Sequence, residues 1–207
     1  MRSFFRREPK QSRSRALVDA VVEATDELIR DGAPIDGVTV ENVSARAGVG
    51  MGSFYEYFTG KDSLIGALVA KVTRSNFEVL TRKLDAIEAE SLDELVRAFA
   101  RITVHTYLAH PNRTRVIIEG IGRLRLQTLV HEEKDRFARV MAERASRFLP
   151  GAPLGEIEIT MRFLADAALG VIGFGSIRGK IDEERIAEDL AWFGIETLRR
   201  RHHATNG

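Results

Sequence analysis

The sequence predicts an all-α fold, and three observations support this. Apolar residues recur at helical spacing through most of the 207 residues, so one face of each segment can be buried. Capping residues, glycines and prolines divide the chain into segments of helical length. No segment alternates between apolar and polar residues for long enough to predict a strand. We therefore expect helices throughout, with a small N-terminal and a larger C-terminal domain.

A basic segment precedes the first predicted helix. Residues 1–15 contain six basic side chains and one acidic side chain, Glu8, although the whole chain has a net charge of only +1. We expect residues 1–11 to form a disordered arm. Such an arm is most simply a solvated terminus, but contact with a polyanion stays open as an alternative.

The first helix is predicted to begin at Ser12 or Ser14 and to end at Asp31. Gly32 can terminate it because glycine adopts a positive φ without steric cost. Residues 33–38 contain a proline and a glycine and are predicted to form a loop.

Residues 39–64, TVENVSARAGVGMGSFYEYFTGKDSL, predict two short helices around a tight turn, with a long helix starting behind them. Gly48 is the residue expected to terminate the first short helix. Phe54 and Phe58 lie one turn apart on the second and are expected to pack against the first. Together these features predict a helix-turn-helix.

The second short helix is expected to expose two phenols, Tyr55 and Tyr57, on either side of its phenylalanines. Together with the hydroxyl of Ser53 and the ammonium group of Lys61, these phenols are hydrogen-bond donors of the kind that contact a nucleic-acid backbone. The first turn of this helix, residues 50–53, is where base edges would be read.

This stretch resembles the DNA-binding signature of the TetR (tetracycline-repressor) family of bacterial regulators, which is a threonine-capped helix, an A-G-V turn, a G-[ST]-x-Y-x-[YH]-F recognition helix, and a lysine followed by an acidic residue. The matching residues are Thr39, Ala47, Gly48, Val49, Gly52, Ser53, Tyr55, Tyr57, Phe58, Lys61 and Asp62. Two positions depart from the pattern. Gly50 replaces the usual serine at the recognition-helix cap, and Met51 stands where a polar residue is common. An apolar group there could touch a thymine methyl.

The resemblance implies a cytoplasmic, homodimeric transcriptional regulator. It would most simply be a repressor that binds a palindromic double-stranded DNA operator and is released by a small apolar or amphipathic effector. Residues 1–60 would form the helix-turn-helix DNA-binding domain with its arm, and residues 61–207 the helical ligand-binding and dimerisation domain. The expected DNA-binding residues are Thr39, Gly50, Met51, Gly52, Ser53, Tyr55, Tyr57 and Lys61.

Six further helices are predicted after the recognition helix. The first runs from Lys61 or Asp62 to about Ala89, and the second from its cap at Ser91 to just before Pro111. The third begins at Asn112 and is expected to be interrupted at Gly120 and Gly122. The last three cover residues 124–149, 156–178 and 182–201.

The middle helices carry a mixture of apolar and polar side chains that is typical of a small-molecule pocket. Each of these residues is more simply a core residue, and that alternative stays open. The resemblance implies a pocket among these helices, for which the candidates are Phe99, Ile102, Thr103, Thr106, Tyr107, Ile117, Gln127, Met141 and Phe163.

Three glycines within the next-to-last helix would each cost up to about 1 kcal/mol relative to alanine in a helix interior. They indicate either a kink or an early helix end, or close approach to another helix. The resemblance favours close approach, because TetR proteins dimerise through their last two long helices. The expected interface residues are Ala165, Leu169, Gly170, Ile172 and Gly173.

Other classes of function find little support in the sequence. The absence of cysteine excludes disulfides and thiolate metal sites, and the five histidines form no zinc-binding pair. No catalytic constellation is evident, so we expect no enzyme, metal or cofactor. No apolar run predicts a signal peptide or a membrane span. A helical small-molecule-binding or scaffold protein without specific DNA binding remains the alternative.

Overall fold

The computed structural model describes residues 4–178 and 182–206, and for residues 174, 176–178 and 203–206 only the backbone. Within these ranges the chain forms nine α-helices and no strand, which confirms the predicted all-α fold. The helices are α1 (Ser12–Arg30), α2 (Val40–Ala47), α3 (Met51–Tyr57), α4 (Lys61–Asp85), α5 (Leu92–Leu108), α6 (Pro111–Arg123), α7 (Gln127–Ala145), α8 (Leu154–Arg178) and α9 (Glu183–Asn206). None of the described helices is long and apolar enough to cross a bilayer.

The helices form two compact units. Unit 1 comprises Met1–Thr73 and His110–Leu129, and unit 2 comprises Arg74–Ala109 and Val130–Gly207. Helix α4 therefore contributes its first half to unit 1 and its second half to unit 2, and α6 lies in unit 1. These bounds differ from the split expected after residue 60, because α6 packs on α1. The assignment of one functional domain to each part remains a prediction.

The core of unit 1 is formed by α1 to α4 together with α6. Its fully buried side chains include Val21, Ile29, Val43, Phe54, Phe58, Leu64 and Leu68. The expected interruption of α6 at Gly120 and Gly122 is wrong, because the helix continues to Arg123. Gly120 has a packing role instead: a Cβ there would lie 3.1 Å from Val69 and 3.2 Å from Ile65.

The core of unit 2 is formed by the second half of α4 with α5, α7, α8 and α9. Phe137 of α7 packs between Phe77 and Phe99, with ring centroids 5.7 and 5.5 Å away. Helix α9 packs closely at Gly194, where a Cβ would lie 2.7 Å from Leu164 Cδ1. The aromatic centre and this close contact give unit 2 its own hydrophobic core.

Candidate nucleic-acid interface

Capping interactions at its two ends fix where α2 begins and where the turn to α3 starts. The Asn42 N–H donates to Thr39 Oγ1 over 3.2 Å, and the Thr39 N–H donates to Asn42 Oδ1 over 2.9 Å. At the other end Gly48 has φ 65° and ψ 30°, and its N–H donates to the carbonyls that α2 leaves free. Only glycine adopts this left-handed conformation without strain. The local sequence thus fixes the direction in which α3 leaves the turn.

Buried phenylalanines hold α3 in place. Phe54 and Phe58 are fully buried, and their rings stack with centroids 5.1 Å apart. Burying such a side chain contributes about 1.5–3 kcal/mol. A helix of seven residues is unstable on its own, so this packing accounts for the folding of α3.

The opposite face of α3 is open to solvent. Met51 is 39% exposed and Tyr55 is 42% exposed. Gly52 is also exposed, and beyond the adjacent residues and backbone of α3 a Cβ there would meet no described atom within 4 Å. Gly50 caps the helix in an extended conformation, and Ser53 is half-buried. The first turn of α3 therefore presents free backbone and one flexible apolar side chain to an approaching surface.

Tyr57 does not face water as expected. Its side chain is only 8% exposed, and its hydroxyl donates to Glu56 Oε1 over 3.2 Å. The reason is helical geometry: Tyr57 lies three residues after Phe54 and shares its buried face. Tyr57 is thus a core residue, and only Tyr55 of the two tyrosines is available to a partner.

Lys61 lies at the start of α4 and already has an anionic neighbour. Its Nζ lies 3.5 Å from Asp36 Oδ1 and 3.3 Å from the Asp36 carbonyl oxygen. The same carboxylate accepts from Arg123 Nη1 over 2.9 Å. Arg123, and then Lys61, hold the pKa of Asp36 below its ordinary value. The predicted phosphate ligand is therefore one member of a surface ion cluster.

The N-terminal arm is not disordered over its described residues, contrary to expectation. Phe5 packs edge to face on Phe58, with ring centroids 5.5 Å apart, and Phe4 packs against Gly66 of α4. The Arg6 N–H donates to the Tyr57 carbonyl over 2.8 Å. Residues 1–3 lie outside the described residues. The two phenylalanines thus anchor the arm beside the recognition helix.

This anchoring places two arginines of the arm at the C-terminal part of α3. Arg6 Nη1 donates to the Tyr55 carbonyl over 3.4 Å, and Arg7 Nη1 lies 3.0 Å from Glu56 Oε1. Both guanidinium groups belong to exposed residues. Contact of this basic arm with a polyanion was left open from the sequence, but its anchoring beside α3 was not predicted, although adjacent phenylalanines in a basic tail could have indicated an anchor.

Ion pairs join α1 to its neighbours within unit 1. Arg46 of α2 contacts Asp31 at 3.0 Å and Glu27 at 3.4 Å, and these carboxylates raise its pKa. Lys71 of α4 lies 2.8 Å from Glu23, and this hydrogen bond lowers the pKa of Glu23. Such surface pairs contribute about 0–1 kcal/mol each. Their main effect is on the orientation of α1 relative to the helix-turn-helix.

The structure brings together three of the predicted pocket residues. Phe99, Thr103 and Tyr107 line a small, largely apolar cavity in unit 2, of which only about 10 Å³ is open to a molecule of the size of water. Its other lining residues are Phe77, Leu80, Lys134, Phe137, Ala165 and Leu169. Lys134 is a lining residue that the sequence analysis did not identify.

The remaining pocket candidates lie elsewhere. Met141 is fully buried and Ile102 partly buried in the core of unit 2, and Thr106 is also buried. Ile117 belongs to the core of unit 1, and Gln127 is exposed at the start of α7. Phe163 is 54% exposed and packs on Phe193. Helical spacing could not separate these environments, because they depend on which face each helix turns to its neighbours.

The predicted dimer residues divide between core and surface. Ala165, Ile172 and Gly173 are buried, whereas Leu169 and Gly170 are half-buried. Helix α8 continues through its glycines, so they do not end the helix early. Among the described side chains of α8 and α9, the large apolar ones that are exposed are Leu154, Ile159, Phe163, Val171, Trp192 and Phe193. Of these, Phe163 and Phe193 join the two helices, with ring centroids 5.3 Å apart.

Residues 21–68 match the model of a family described as bacterial regulatory proteins, tetR family. The segment covers part of α1, all of α2 and α3, and the start of α4. The resemblance inferred from the sequence is therefore confirmed. The matched family is one of regulators, which confirms the expectation that the chain is not an enzyme. None of the curated proteins compared with the sequence matches it.

Solved structures share the whole architecture at low sequence identity. A protein from Pseudomonas aeruginosa PAO1 that is assigned as a transcriptional regulator is 18% identical, with a TM-score of 0.64 over 97% of this chain and 96% of its own. A TetR transcriptional regulator from Rhodococcus sp. RHA1 is 20% identical, with a TM-score of 0.63 over 89% and 96%. The TetR family repressor AlkX from Dietzia sp. strain DQ12-45-1b, implicated in biodegradation of n-alkanes, is 13% identical, with a TM-score of 0.61 over 94% and 98%. At such identities these similarities show the fold.

Proposed function

We propose that the chain, whose residues 21–68 match the model of the TetR family of bacterial regulatory proteins, is a repressor. It binds a palindromic DNA operator as a homodimer and leaves the operator when a small apolar or amphipathic effector binds unit 2. Acting on operator DNA places it in the cytoplasm.

The observation that carries this proposal is the exposed face of α3. Its first turn presents the exposed Met51 and Gly52, on a helix whose opposite face is buried. An exposed helix of this kind, held after a tight turn, suits insertion into the major groove. Residues 50–53 would meet base edges, and Met51 would lie against a thymine methyl.

Backbone contacts would surround this reading helix. Tyr55 offers an exposed hydroxyl, and Thr39 lies exposed at the start of α2. Arg6 and Arg7 of the arm add two positive charges beside α3. Lys61 would contribute a phosphate contact by exchanging Asp36 for the DNA backbone. These donors position the protein on the duplex and carry no sequence information themselves.

The exposed apolar side chains of α8 and α9 support the homodimer. Phe163 and Trp192 are more than half exposed, and Phe163 adjoins the exposed Phe193. Adjoining exposed apolar side chains of this size mark an interaction site. A second copy of the chain would cover them through an isologous contact. Two recognition helices would then read half-sites about one turn of DNA apart, and their binding free energies would combine.

Effector binding would act by shifting the population of dimers. Helix α4 contains both Phe77 of the cavity and Lys61 of the ion cluster. An effector that favours a different position of α4 would alter the spacing of the recognition helices, and operator affinity would fall.

A gel-shift titration with the DNA flanking the protein's own gene, at two salt concentrations, tests this function. We expect preferential binding over random DNA of equal length, with an affinity that falls steeply as salt rises, because each phosphate contact releases a counterion. Absence of any salt-dependent DNA binding would favour a helical ligand-binding or scaffold protein instead.

A further inference from the structure

The cavity in unit 2 contains one charged side chain among aromatic ones. Lys134 of α7 is 3% exposed and lines the cavity with Phe77, Phe99 and Phe137. Its Nζ pairs with Asp166 of α8, whose side chain is half exposed. The ammonium group therefore lies inside the apolar unit, while its partner remains at the surface.

A buried ammonium group is costly unless acceptors surround it. It carries three N–H donors, and Asp166 accepts one of them. Methionine would fill a similar volume without this cost, so packing alone does not explain a lysine at this position. A lysine does, however, supply a positive charge where an anionic group could be bound.

Neighbouring hydroxyls in α5 strengthen this interpretation. Thr103 lines the same cavity and is 4% exposed, yet its Oγ1 has no hydrogen-bond partner among the described residues. Tyr107, one turn further along α5, also lines the cavity, and burial raises the pKa of its phenol. Tyr107 thus remains a neutral hydroxyl. The cavity combines one cation and an unsatisfied hydroxyl with an aromatic wall.

We propose that this cavity binds an amphipathic monocarboxylate, a small molecule with an apolar body and one carboxylate group. The carboxylate pairs with Lys134 and accepts a hydrogen bond from Thr103, while the apolar body lies among the phenylalanines. The proposal rests on the proposed function, in which unit 2 holds the effector, and adds the chemical class of that effector.

Because the cavity is small, a ligand can bind there only if the conformation of unit 2 changes. The space open to a molecule of the size of water is only about 10 Å³, far below the range of about 300–1,000 Å³ typical of ligand sites. A bound carboxylate must therefore spread the helices that line the cavity, which are α4, α5, α7 and α8. It also competes with Asp166 for Lys134, so occupation loosens the contact between α7 and α8.

Calorimetric titration of the full chain with matched probes tests the proposal. Two carboxylates, octanoate and 2-naphthoate, are compared with 1-octanol and 2-naphthol, and octylamine serves as the cationic probe. We expect at least one carboxylate to bind tenfold more tightly than its alcohol. Lys134→Met should abolish that preference while still binding the alcohols, and Thr103→Val should reduce it several-fold. Lys71→Met, which removes a lysine from unit 1, should leave it unchanged.

Three results would overturn the proposal. One is failure of both carboxylates to bind, and another is equal binding of carboxylates and alcohols. The third is preference for octylamine, which would identify Asp166 as the anchoring group. Gel shifts with and without octanoate separate this test from that of the proposed function: binding through Lys134 without any effect on DNA would support the cavity assignment and contradict effector-controlled repression.

Discussion

The ammonium group of Lys61 lies 3.5 Å from the carboxylate of Asp36, so a predicted phosphate ligand is paired with an internal anion before DNA arrives. The Asp36 carboxylate also accepts from Arg123, at the end of α6. Asp36 therefore repels the phosphate backbone and competes with it for two cations. Its removal should strengthen DNA binding.

We expect Asp36→Asn to raise affinity for operator and random DNA by similar factors. The salt slope should steepen by about one, because one further lysine is free to contact phosphate. Gel shifts at several salt concentrations measure both effects. Asp19→Asn, an equal charge change on the exposed face of α1, is the matched control. An equal increase in both variants would show a general charge effect and exclude a specific role for Asp36.

The two tyrosines of α3 should behave differently when changed to alanine. Tyr55→Ala should weaken binding to operator and random DNA by similar factors and should change the free energy of unfolding much less than Tyr57→Ala, because the Tyr55 side chain is 42% exposed. Tyr57→Ala should lower the free energy of unfolding by about 3 kcal/mol, since it removes a buried aromatic ring. Denaturant titrations and gel shifts measure the two quantities. Normal stability of the Tyr57 variant would contradict its placement in the core.

Much of the helix-turn-helix could be predicted because its determinants are local. Thr39 caps α2 and Gly48 ends it through backbone rules that depend on few residues. The burial of Tyr57 could also have been predicted from the sequence, since Tyr57 lies three residues after Phe54. By contrast, the burial of Lys134 depends on how α5, α7 and α8 pack, and no local pattern indicates it. In α8, apolar residues occur on all faces, so spacing could not separate Phe163, which is exposed, from Ile172, which is buried.

A substitution in α4 can displace the N-terminal arm without changing the arm's own residues, and this tests the role of the arm in DNA binding. Gly66→Ala places a methyl group where the Phe4 ring lies, so Phe4 should leave its position. Alanine is favoured over glycine in a helix by about 1 kcal/mol, and the fold should persist. We expect the salt slope of DNA binding to fall by about two, because Arg6 and Arg7 lose their fixed place beside α3. Gly155→Ala, at an open position of α8, is the control. Unchanged DNA binding in the Gly66 variant would show that the arm has no part in it.

The apolar surface of α8 and α9 should control the oligomeric state. Light scattering coupled to size-exclusion chromatography should give the wild-type protein twice the chain mass of 23.1 kDa. Phe163→Glu should give monomers that remain helical, because the residue is 54% exposed within one chain. Met51→Glu makes the same kind of change on an exposed apolar residue of unit 1 and should leave the dimer intact. A wild-type monomer would contradict both the interface and binding to a palindrome.

Stability near neutral pH should depend on His110, which precedes α6. Desolvation, then Arg113 and Arg30, lower its pKa below the ordinary value, while Asp26 acts in the opposite direction. The folded state therefore binds a proton less readily than the unfolded chain. Stability is fully present above the unfolded pKa of about 6.5 and falls as the pH drops through that value towards the folded pKa.

Melting temperatures at about pH 7.5 and about pH 5.5, a window set by the unfolded histidine pKa of about 6.5, measure this effect. Between these two pH values, the melting temperature of the wild type should fall further than that of the His110→Asn variant. Carboxylates with lowered pKa, such as Glu23, lose their contribution only below the ordinary value of 4.5. They therefore do not disturb the comparison. An identical loss in both proteins would show that the environment of His110 has no effect on folding, and a gain on acidification would reverse the inferred direction.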